Sequence, residues 1–577
     1  MPRKTPSPDV TPTELPNKQG AVDQSPSEQE SIPLIREQGI HISFAGRERH
    51  TAVIPAPHVL VEVPEHSDTE GSEENLVIEG DNIDAMASLM AQYSGQVDVC
   101  LTDPPYGGDR KNLRYEDGNT GWLNQMLPTF HMIHELLAET GVLFVHIDDD
   151  NLFALGMLLD DIFDRKNRIG VISWKTTTGN NQPTRISKKC EYILVYTKNC
   201  DAAAPVWQGP ISPAKQKALD FSELVLRPMD SQEDRRVAWA AFVREHRDEL
   251  GGYADYPFLD EHRPYQSGAL SVPTGPTYDI LHPETGRPVK LPKGGWKGKR
   301  ETMDRWLSEG RVLFGPDETT VPRYKRFLAD GEAGALWDFI DGHTAQSANL
   351  EVRRLMEAAN VFSYPKPSSL AEYLLSFVAG KDALILDPFA GSGTTAHGVM
   401  RLNAKDGGER RFITIERGNL SKNDGYAVEL TAERIRRARV KDDLPGGFTF
   451  LRVGDEINAE AWERLRREEI IRVIRQADPS GRGRGIRRIE GDWVIGANSR
   501  KQAICLVWNA EGESAVTREV LAAMFEEVAA LGLRLPMRVY GTTCEVAETD
   551  DFTFCQLPDE VRVLLGLRAP APAEPKG

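Results

Sequence analysis

Apolar residues in this chain gather into short continuous runs that stop at an acid. Val97-Asp98-Val99-Cys100-Leu101-Thr102 stops at Asp103, Ala383-Leu384-Ile385-Leu386 at Asp387, and Arg411-Phe412-Ile413-Thr414-Ile415 at Glu416. Runs of this length, bounded by turn residues, predict buried strands. Helical spacing follows from Ile83 to Met90 and from Ala396 to Leu402. Strands alternating with helices predict an α/β domain, and in open α/β sheets ligands bind beyond the carboxyl ends of the strands. The acids fall at that edge.

The C-terminal quarter repeats the alternation on a smaller scale. Glu460–Gln476 predicts a helix, Trp493–Gly496 and Ala503–Asn509 strands, Thr517–Leu531 a helix and Met537–Tyr540 a strand. A small α/β unit is expected there. Gly481-Arg482-Gly483-Arg484-Gly485 reads as a flexible basic linker, and Ala569–Gly577 as a disordered tail.

Two of the strand ends carry chemistry. Asp103-Pro104-Pro105-Tyr106 places a carboxylate, a rigid carbonyl-bearing turn and a flat ring together. Asp103 can accept one N–H of an amino group and the Pro104 carbonyl the other, since proline fixes the backbone and leaves its C=O free. Tyr106 can stack on the ring that bears the amino group. The set suits methylation of an exocyclic amine, although Asp-Pro-Pro after a strand is also an ordinary turn. The second end, Asp387-Pro388-Phe389-Ala390-Gly391-Ser392-Gly393-Thr394-Thr395, is a glycine turn between strand and helix, which permits close backbone approach to a nucleoside-like ligand. A phosphate-binding loop would need Lys after the last glycine, and Thr394 stands there. Glu416, ending the next strand, is where dinucleotide folds grip ribose hydroxyls.

In combination and in this order, the two motifs resemble those of amino-group DNA methyltransferases of the β arrangement. The nearest likeness is to modification subunits of type III restriction systems. The resemblance covers about Asn75–Asn199 and His343–Arg439. It implies a Rossmann-like S-adenosylmethionine-dependent methyltransferase fold with circularly permuted motif order, an inserted target-recognition domain and a small C-terminal α/β domain. It implies S-adenosyl-L-methionine as cofactor, held by Asp387, Pro388, Phe389, Ala390, Gly391, Ser392, Gly393, Thr394 and Glu416. Asp81 and Asn82 match the segment near the cofactor's adenine, and can equally cap the following helix. Lys366, in Phe362-Ser363-Tyr364-Pro365-Lys366-Pro367, can pair with the cofactor's carboxylate or be solvated. Gly141–Asp150 matches a further strand with an acidic end. There Asp149 and Asp150 read as caps of helix Leu152–Phe163, and Asp148 stays open. Relatives often carry His where Cys190 precedes Glu191-Tyr192, so Cys190 reads as a small buried residue. Asp103, Pro104, Pro105 and Tyr106 become the catalytic set, and Asp before Pro-Pro-Tyr favours adenine N6 over cytosine N4.

Composition limits the rest. At 577 residues several domains are expected. No apolar run has membrane-spanning length, and the start Met1-Pro2-Arg3-Lys4-Thr5 has no signal-peptide core, so a cytoplasmic protein is expected. The six cysteines lack Cys-x-x-Cys spacing, which argues against disulfides and a metal site. The net charge of −18 is unusual for a DNA binder, so cations must be segregated. Arg287–Arg326 supplies Lys293, Lys297, Lys299, Arg300, Arg323 and Lys325 with interleaved Trp296, Trp306, Phe314 and Tyr324, a candidate DNA surface or a solvated face over core aromatics.

The expected organisation is a mostly disordered acidic region 1–74, a catalytic domain in two parts (75–199 and 343–440), a target-recognition insertion at 200–342, and an accessory domain at 441–577. Expected partners are double-stranded DNA, a second copy of the chain, and a restriction or defence component of helicase or nuclease type. The alternatives are an RNA or protein-amide methyltransferase, and a recognition subunit with vestigial catalysis.

Overall fold

The computed structural model describes residues 42–47, 55–68, 74–106, 118–177, 188–207, 213–330, 336–358, 364–417, 425–457, 467–508 and 515–557, with 209, 211, 362, 559 and 561 singly. All of them belong to one compact unit, Ile40–Gly577.

The chain first lays down β1 (His58–Glu62), β2 (Leu76–Glu79), β3 (Val97–Thr102), β4 (Leu137–Ile147), β5 (Arg168–Lys175) and β6 (Cys190–Thr197). It then builds a separate four-stranded sheet from β7 (Phe258–Asp260), β8 (Arg263–Ala269), β9 (Val312–Leu313) and β10 (Arg323–Phe327). It returns to the first sheet with β11 (Phe339–Ile340), β12 (Leu384–Asp387), β13 (Arg411–Glu416) and β14 (Thr449–Glu456). The order across the main sheet is β1-β14-β2-β13-β12-β3-β4-β6-β5-β11. The run from β14 to β4 is parallel throughout. β1, and the pairings of β6 with β4 and β5, are antiparallel.

The unbroken apolar runs follow from burial on both faces. In β3, Val97 and Cys100 join one core with Trp122 and Phe130, while Val99 and Leu101 join the other with Leu374 and Phe412. The helices expected at Ile83–Met90 and Ala396–Leu402 are present and longer than read. Asn82–Tyr93 starts at Asp81, whose carboxylate accepts from the Ile83 N–H at 3.0 Å. Thr394–Asp406 ends at Gly407, whose φ of 66° stops the helix in the left-handed region.

Three expectations are corrected. The sheet overruns the boundary at 74, since β1 comes from within the segment read as disordered. It also overruns the boundary at 440, since β14 pairs with β2 beyond it. Without β14 and β1, the outer side of β2 would be a bare edge of unpaired N–H and C=O groups. Asp68, read as part of an acidic tail, accepts two bonds from Arg439 at 2.8 and 3.0 Å. The Gly481–Gly485 stretch is packed, not a free linker: Gly481 is buried and the Gly483 N–H donates to the Gln92 carbonyl at 2.9 Å. Residues 1–41, 69–73 and the tail 569–577 lie outside the described residues.

The C-terminal α/β unit forms as expected. Its five strands are Arg487–Arg488, Val494–Ala497, Gln502–Leu506, Arg534–Gly541 and Phe552–Gln556. Helix Arg518–Ala530 packs on one core through Met524 and Val528. Helix Arg467–Ala477, the described part of the expected Glu460–Gln476, packs on the other and reaches Val59 of β1. No helix among the described residues is long and apolar enough to cross a membrane.

Candidate active site

β3 and β12 are hydrogen-bonded neighbours, with Val99 opposite Ile385 and Cys100 opposite Leu386. That single pairing brings the Asp103 turn beside the glycine turn. The two share one cleft, lined by Asp103, His146, Lys366, Asp387, Phe389 and Gly391 among others. Farther along the same edge, Glu416 ends β13 and Asp81 follows β2, so four acids stand on four adjacent strand ends.

The Asp-Pro-Pro-Tyr turn is held from behind by Trp122, whose Nε1–H donates to the Pro105 carbonyl at 2.6 Å. Asp103 Oδ1 accepts from the Tyr106 hydroxyl at 2.9 Å, and Oδ2 from Lys366 Nζ at 2.6 Å. Lys366 also reaches the Tyr106 oxygen at 3.0 Å and Glu191 Oε2 at 3.4 Å. Among the described residues no donor reaches the Pro104 carbonyl. The turn thus holds a carboxylate and, on the next residue, a backbone carbonyl with no described donor, two acceptors of the kind an amino group requires.

The charges in this cluster fix its protonation. Burial alone would raise the Asp103 carboxyl, but the Lys366 ammonium, with the Tyr106 hydroxyl, holds it below the usual carboxylate range. Burial would likewise lower Lys366, and Asp103 and Glu191 reverse that. Tyr106 is pushed up by burial and by those two carboxylates, so it stays a neutral phenol. His146, at the end of β4, is pushed down to about 3 by burial and then by Lys366. It is a neutral imidazole whose buried Nδ1 has no hydrogen-bond partner. The sequence pattern alone did not single out His146; its signal was a polar residue at the acidic end of an otherwise apolar run. The ammonium of Lys366 bonds Asp103 at 2.6 Å and is largely buried, so of its two readings the solvated one does not hold. A buried cation seeks the nearest buried anion.

The glycine turn is shaped by contacts that only glycine permits. Gly391 has φ +52°, and a Cβ there would sit 3.1 Å from the Phe362 ring; Gly393 has φ +78°, and a Cβ would meet Ile435 and the Thr431 carbonyl at 3.2 Å. Glu416 accepts from the backbone N–H groups of Gly391 and of Arg417, the latter at 3.0 Å. Asp387 accepts from the Phe389 N–H at 3.2 Å. Arg434, fully buried, closes the turn from beneath: its guanidinium donates to the Ser392 carbonyl at 3.3 Å, to Thr394 Oγ1 at 2.9 Å and to Glu351 at 3.0 Å. Arg434 and Glu351 were missed in the sequence, where Glu433-Arg434-Ile435-Arg436-Arg437 resembles a solvated helix face. Helical spacing does place Arg434 one turn from Ala438, on the buried side with Ile435.

This donor set fits S-adenosylmethionine. Three carboxylates, Asp387, Glu416 and Asp81, suit hydroxyls, amino groups and a cationic sulfonium, and would repel a polyphosphate. Asp81 is at once the cap of its helix and 3.7 Å from Arg417, and Asn82 donates to Thr129 Oγ1 at 3.2 Å. Asp148 bonds Asn151 at the start of Leu152–Phe163, at 3.1 and 3.0 Å. Asp149 and Asp150, read as helix caps, instead pair with Lys188, at 2.8 and 3.1 Å. Cys190 is half-buried.

Burial pushes the Asp387 carboxyl up to about 7, against bonds from Thr395 and the Phe389 N–H. A raised folded value means the folded state holds its proton longer than the unfolded chain. This group's effect on stability therefore turns unfavourable as pH rises between 3.8 and about 7, by up to about 1.4 kcal/mol per unit. Asp387→Asn is expected to melt above the wild type at pH 8, with the gap closing toward pH 4, while binding the cofactor more weakly. Paired thermal melts across pH check this, and a constant gap would refute it.

In the insertion, the cations separate into two kinds. Arg300 is tied to Asp304 at 2.9 Å, Arg323 to Ser267 at 2.6 Å and Lys325 to Asp260 at 3.2 Å. Lys293, Lys297 and Lys299 are exposed. The interleaved aromatics build the local core, the second of the two alternatives: Trp296 is fully buried, and Trp306, Phe314 and Tyr324 pack around it. A four-stranded sheet this small needs those rings to bury enough apolar surface.

Fold and site together describe an α/β transferase with a carboxylate-lined nucleoside cleft opening on an amine-accepting turn. Residues 97–462 match the N6/N4 methyltransferase family, described as DNA methylase, and the chain belongs to it. It is 30% identical over 442 residues to the type III restriction-modification enzyme EcoP15I Mod subunit of Escherichia coli, covering 68% of each chain. It is 26% identical to the EcoPI Mod subunit of Escherichia phage P1, over 72% of this chain and 71% of that one. Among solved structures, the PvuII cytosine-N4-specific DNA methyltransferase aligns with 63% of this chain and 86% of its own at 12% identity, with a TM-score of 0.32.

Proposed function

We propose that this DNA methyltransferase moves a methyl group from S-adenosylmethionine to adenine N6 in duplex DNA, as the modification component of a restriction system. The observation that carries the reading is that Asp103, held ionised by Lys366 and followed by a Pro104 carbonyl that no described donor reaches, lines the same cleft as the glycine turn. The Mod-subunit relatives support the biological setting, and Asp ahead of Pro-Pro-Tyr favours adenine.

The chain's own residues then divide the work. The target base must leave the helix stack to be reached. Its amino group would replace the Tyr106 hydroxyl on Asp103 Oδ1 and offer its second hydrogen to Pro104, leaving the nitrogen lone pair free. The freed Tyr106 ring lies against the base plane. Lys366 keeps Asp103 an acceptor throughout. Asp387, Glu416, Asp81 and the turn Pro388–Thr394 would hold the cofactor, which when bound supplies an electrophilic methyl. Alignment of the two reactants does most of the catalysis. The 200–342 region would read the target sequence, with Lys293, Lys297 and Lys299 on phosphates. The unit after 457 would serve assembly, including a second copy and a restriction partner.

Modified-base sequencing of DNA from cells expressing the wild type or Asp103→Asn tests this. N6-methyladenine at one short motif, in the wild type only, is the expected result. N4-methylcytosine would overturn the base assignment, and no DNA mark from a cofactor-binding wild type would overturn the substrate.

A further inference from the structure

A wide cleft lies on the other side of the main sheet from the methyl-transfer site. Its floor is where the parallel strands begin, at Leu76, Arg411 and Thr449, and its far wall belongs to the C-terminal unit. The catalytic acids stand at the opposite ends of these same strands or their neighbours.

This cleft is basic in an acidic protein. Eight Arg and Lys side chains line it against four Glu, while the chain as a whole carries −18. Three of those acids are already engaged. Glu74 lies 3.5 Å from both Arg411 and Arg484, and Glu62 and Glu490 flank Arg488. Arg472, Arg487 and Lys501 have no carboxylate within ion-pair range among the described residues. Arg475 is driven down to about 10 by burial and by the neighbouring guanidinium of Arg488. Holding Arg472, Arg487 and Lys501 beside these paired cations without a counter-charge of their own costs energy that an anion would recover. The lining offers nothing for a base to stack on, since its rings, Tyr93 and Phe412, are buried. A chain of phosphates satisfies both conditions.

We propose that this groove binds a phosphate-rich polyanion, with the sugar–phosphate backbone of a nucleic acid outside the methyl-transfer cleft as its ligand. Binding there needs neither Asp103 nor the glycine turn, so the proposal stands or falls apart from the methylation reading.

The test uses the full chain carrying Arg472→Glu, Arg487→Glu and Lys501→Glu together, with the milder triple change to Gln as a second variant should charge reversal disturb folding. Affinity for a long duplex lacking the target motif is measured against salt, alongside binding of inorganic tripolyphosphate. The slope of log affinity on log salt is expected to shrink by about 2 to 3, near one for each cation that no longer meets a phosphate. Methylation of a short target duplex should remain within about twofold of wild type, since none of the three residues lies in the methyl-transfer cleft. Loss of tripolyphosphate binding with duplex binding unchanged would overturn the backbone assignment in favour of a small polyphosphate. Unchanged slopes and unchanged tripolyphosphate binding would overturn the proposal altogether.

Discussion

Asp103→Asn is expected to lower methyl transfer by about 10³-fold or more while cofactor affinity stays within about twofold. Asn keeps an acceptor oxygen but loses the charge that draws the amino hydrogen off the ring plane. Its amide also presents N–H groups to Lys366 and Tyr106, both of which donate to the carboxylate now. The cofactor turn, held by Asp387, Glu416 and Arg434, is untouched. Single-turnover methylation with equilibrium binding of S-adenosylmethionine separates the two effects. A near-normal rate would show that Asp103 is not the acceptor. A stability cost accompanies the change, because of its two carboxylates the largely buried ammonium of Lys366 would keep only Glu191, at 3.4 Å. Breaking a buried pair costs about 3 kcal/mol at the low end, and Glu191 places this case there. Melting the variant therefore belongs with the kinetics, so that unfolding is not read as lost chemistry.

The sequence held the chemistry more legibly than the architecture around it. Asp103, Asp387 and Glu416 were readable because each ends an apolar run, and a strand buried on both faces leaves no ambiguity of period. What β3 pairs with was not readable from local pattern; only the sheet shows that β12 is its neighbour. The edge strands escaped for a related reason. β1 is a three-residue apolar run and β14 is mostly half-exposed with an acidic end, so their membership is decided by the unpaired side of β2 rather than by their own composition. Lys366 was found as a residue of interest, but its bond to Asp103 was not read. Its partner lies on a segment distant in sequence, and no spacing rule links the two. The aromatics of the insertion misled in the opposite direction. Rings interleaved with cations look the same in sequence whether they stack on bases or fill a small core.

Arg434→Met is expected to be the most destabilising single change near the site, by about 3–5 kcal/mol. Arg434 has no exposed surface and its partner Glu351 is itself largely enclosed, so removing the guanidinium strands a carboxylate. Burial would raise Glu351, and it is held below its ordinary range by the charges of His397 and Arg434 and by bonds from Ser368. The neighbouring His397 cannot take over. Its two nitrogens stand 3.7 Å from Glu351 and 3.5 Å from Asp442, neither makes a hydrogen bond, and burial lowers its hold on a proton, against the pull of Asp442 and Glu351. Arg434→Lys should not rescue the protein. One ammonium cannot reach Ser392, Thr394 and Glu351 at once, whereas the planar guanidinium spreads its donors across all three. The functional consequence follows from the same bonds. Without Arg434 the Ser392 carbonyl and Thr394 hydroxyl lose their anchor, and the turn between Gly391 and Gly393 is free to relax, so cofactor affinity falls together with stability. A double variant, Arg434→Met with Glu351→Gln, distinguishes the charge from the geometry. It should recover much of the lost stability, because no buried charge is left uncompensated, yet keep the weakened cofactor binding, because the turn is still unsupported. Urea unfolding and cofactor titration on the three proteins measure both. Recovery of binding along with stability would place the role of Arg434 in the core alone.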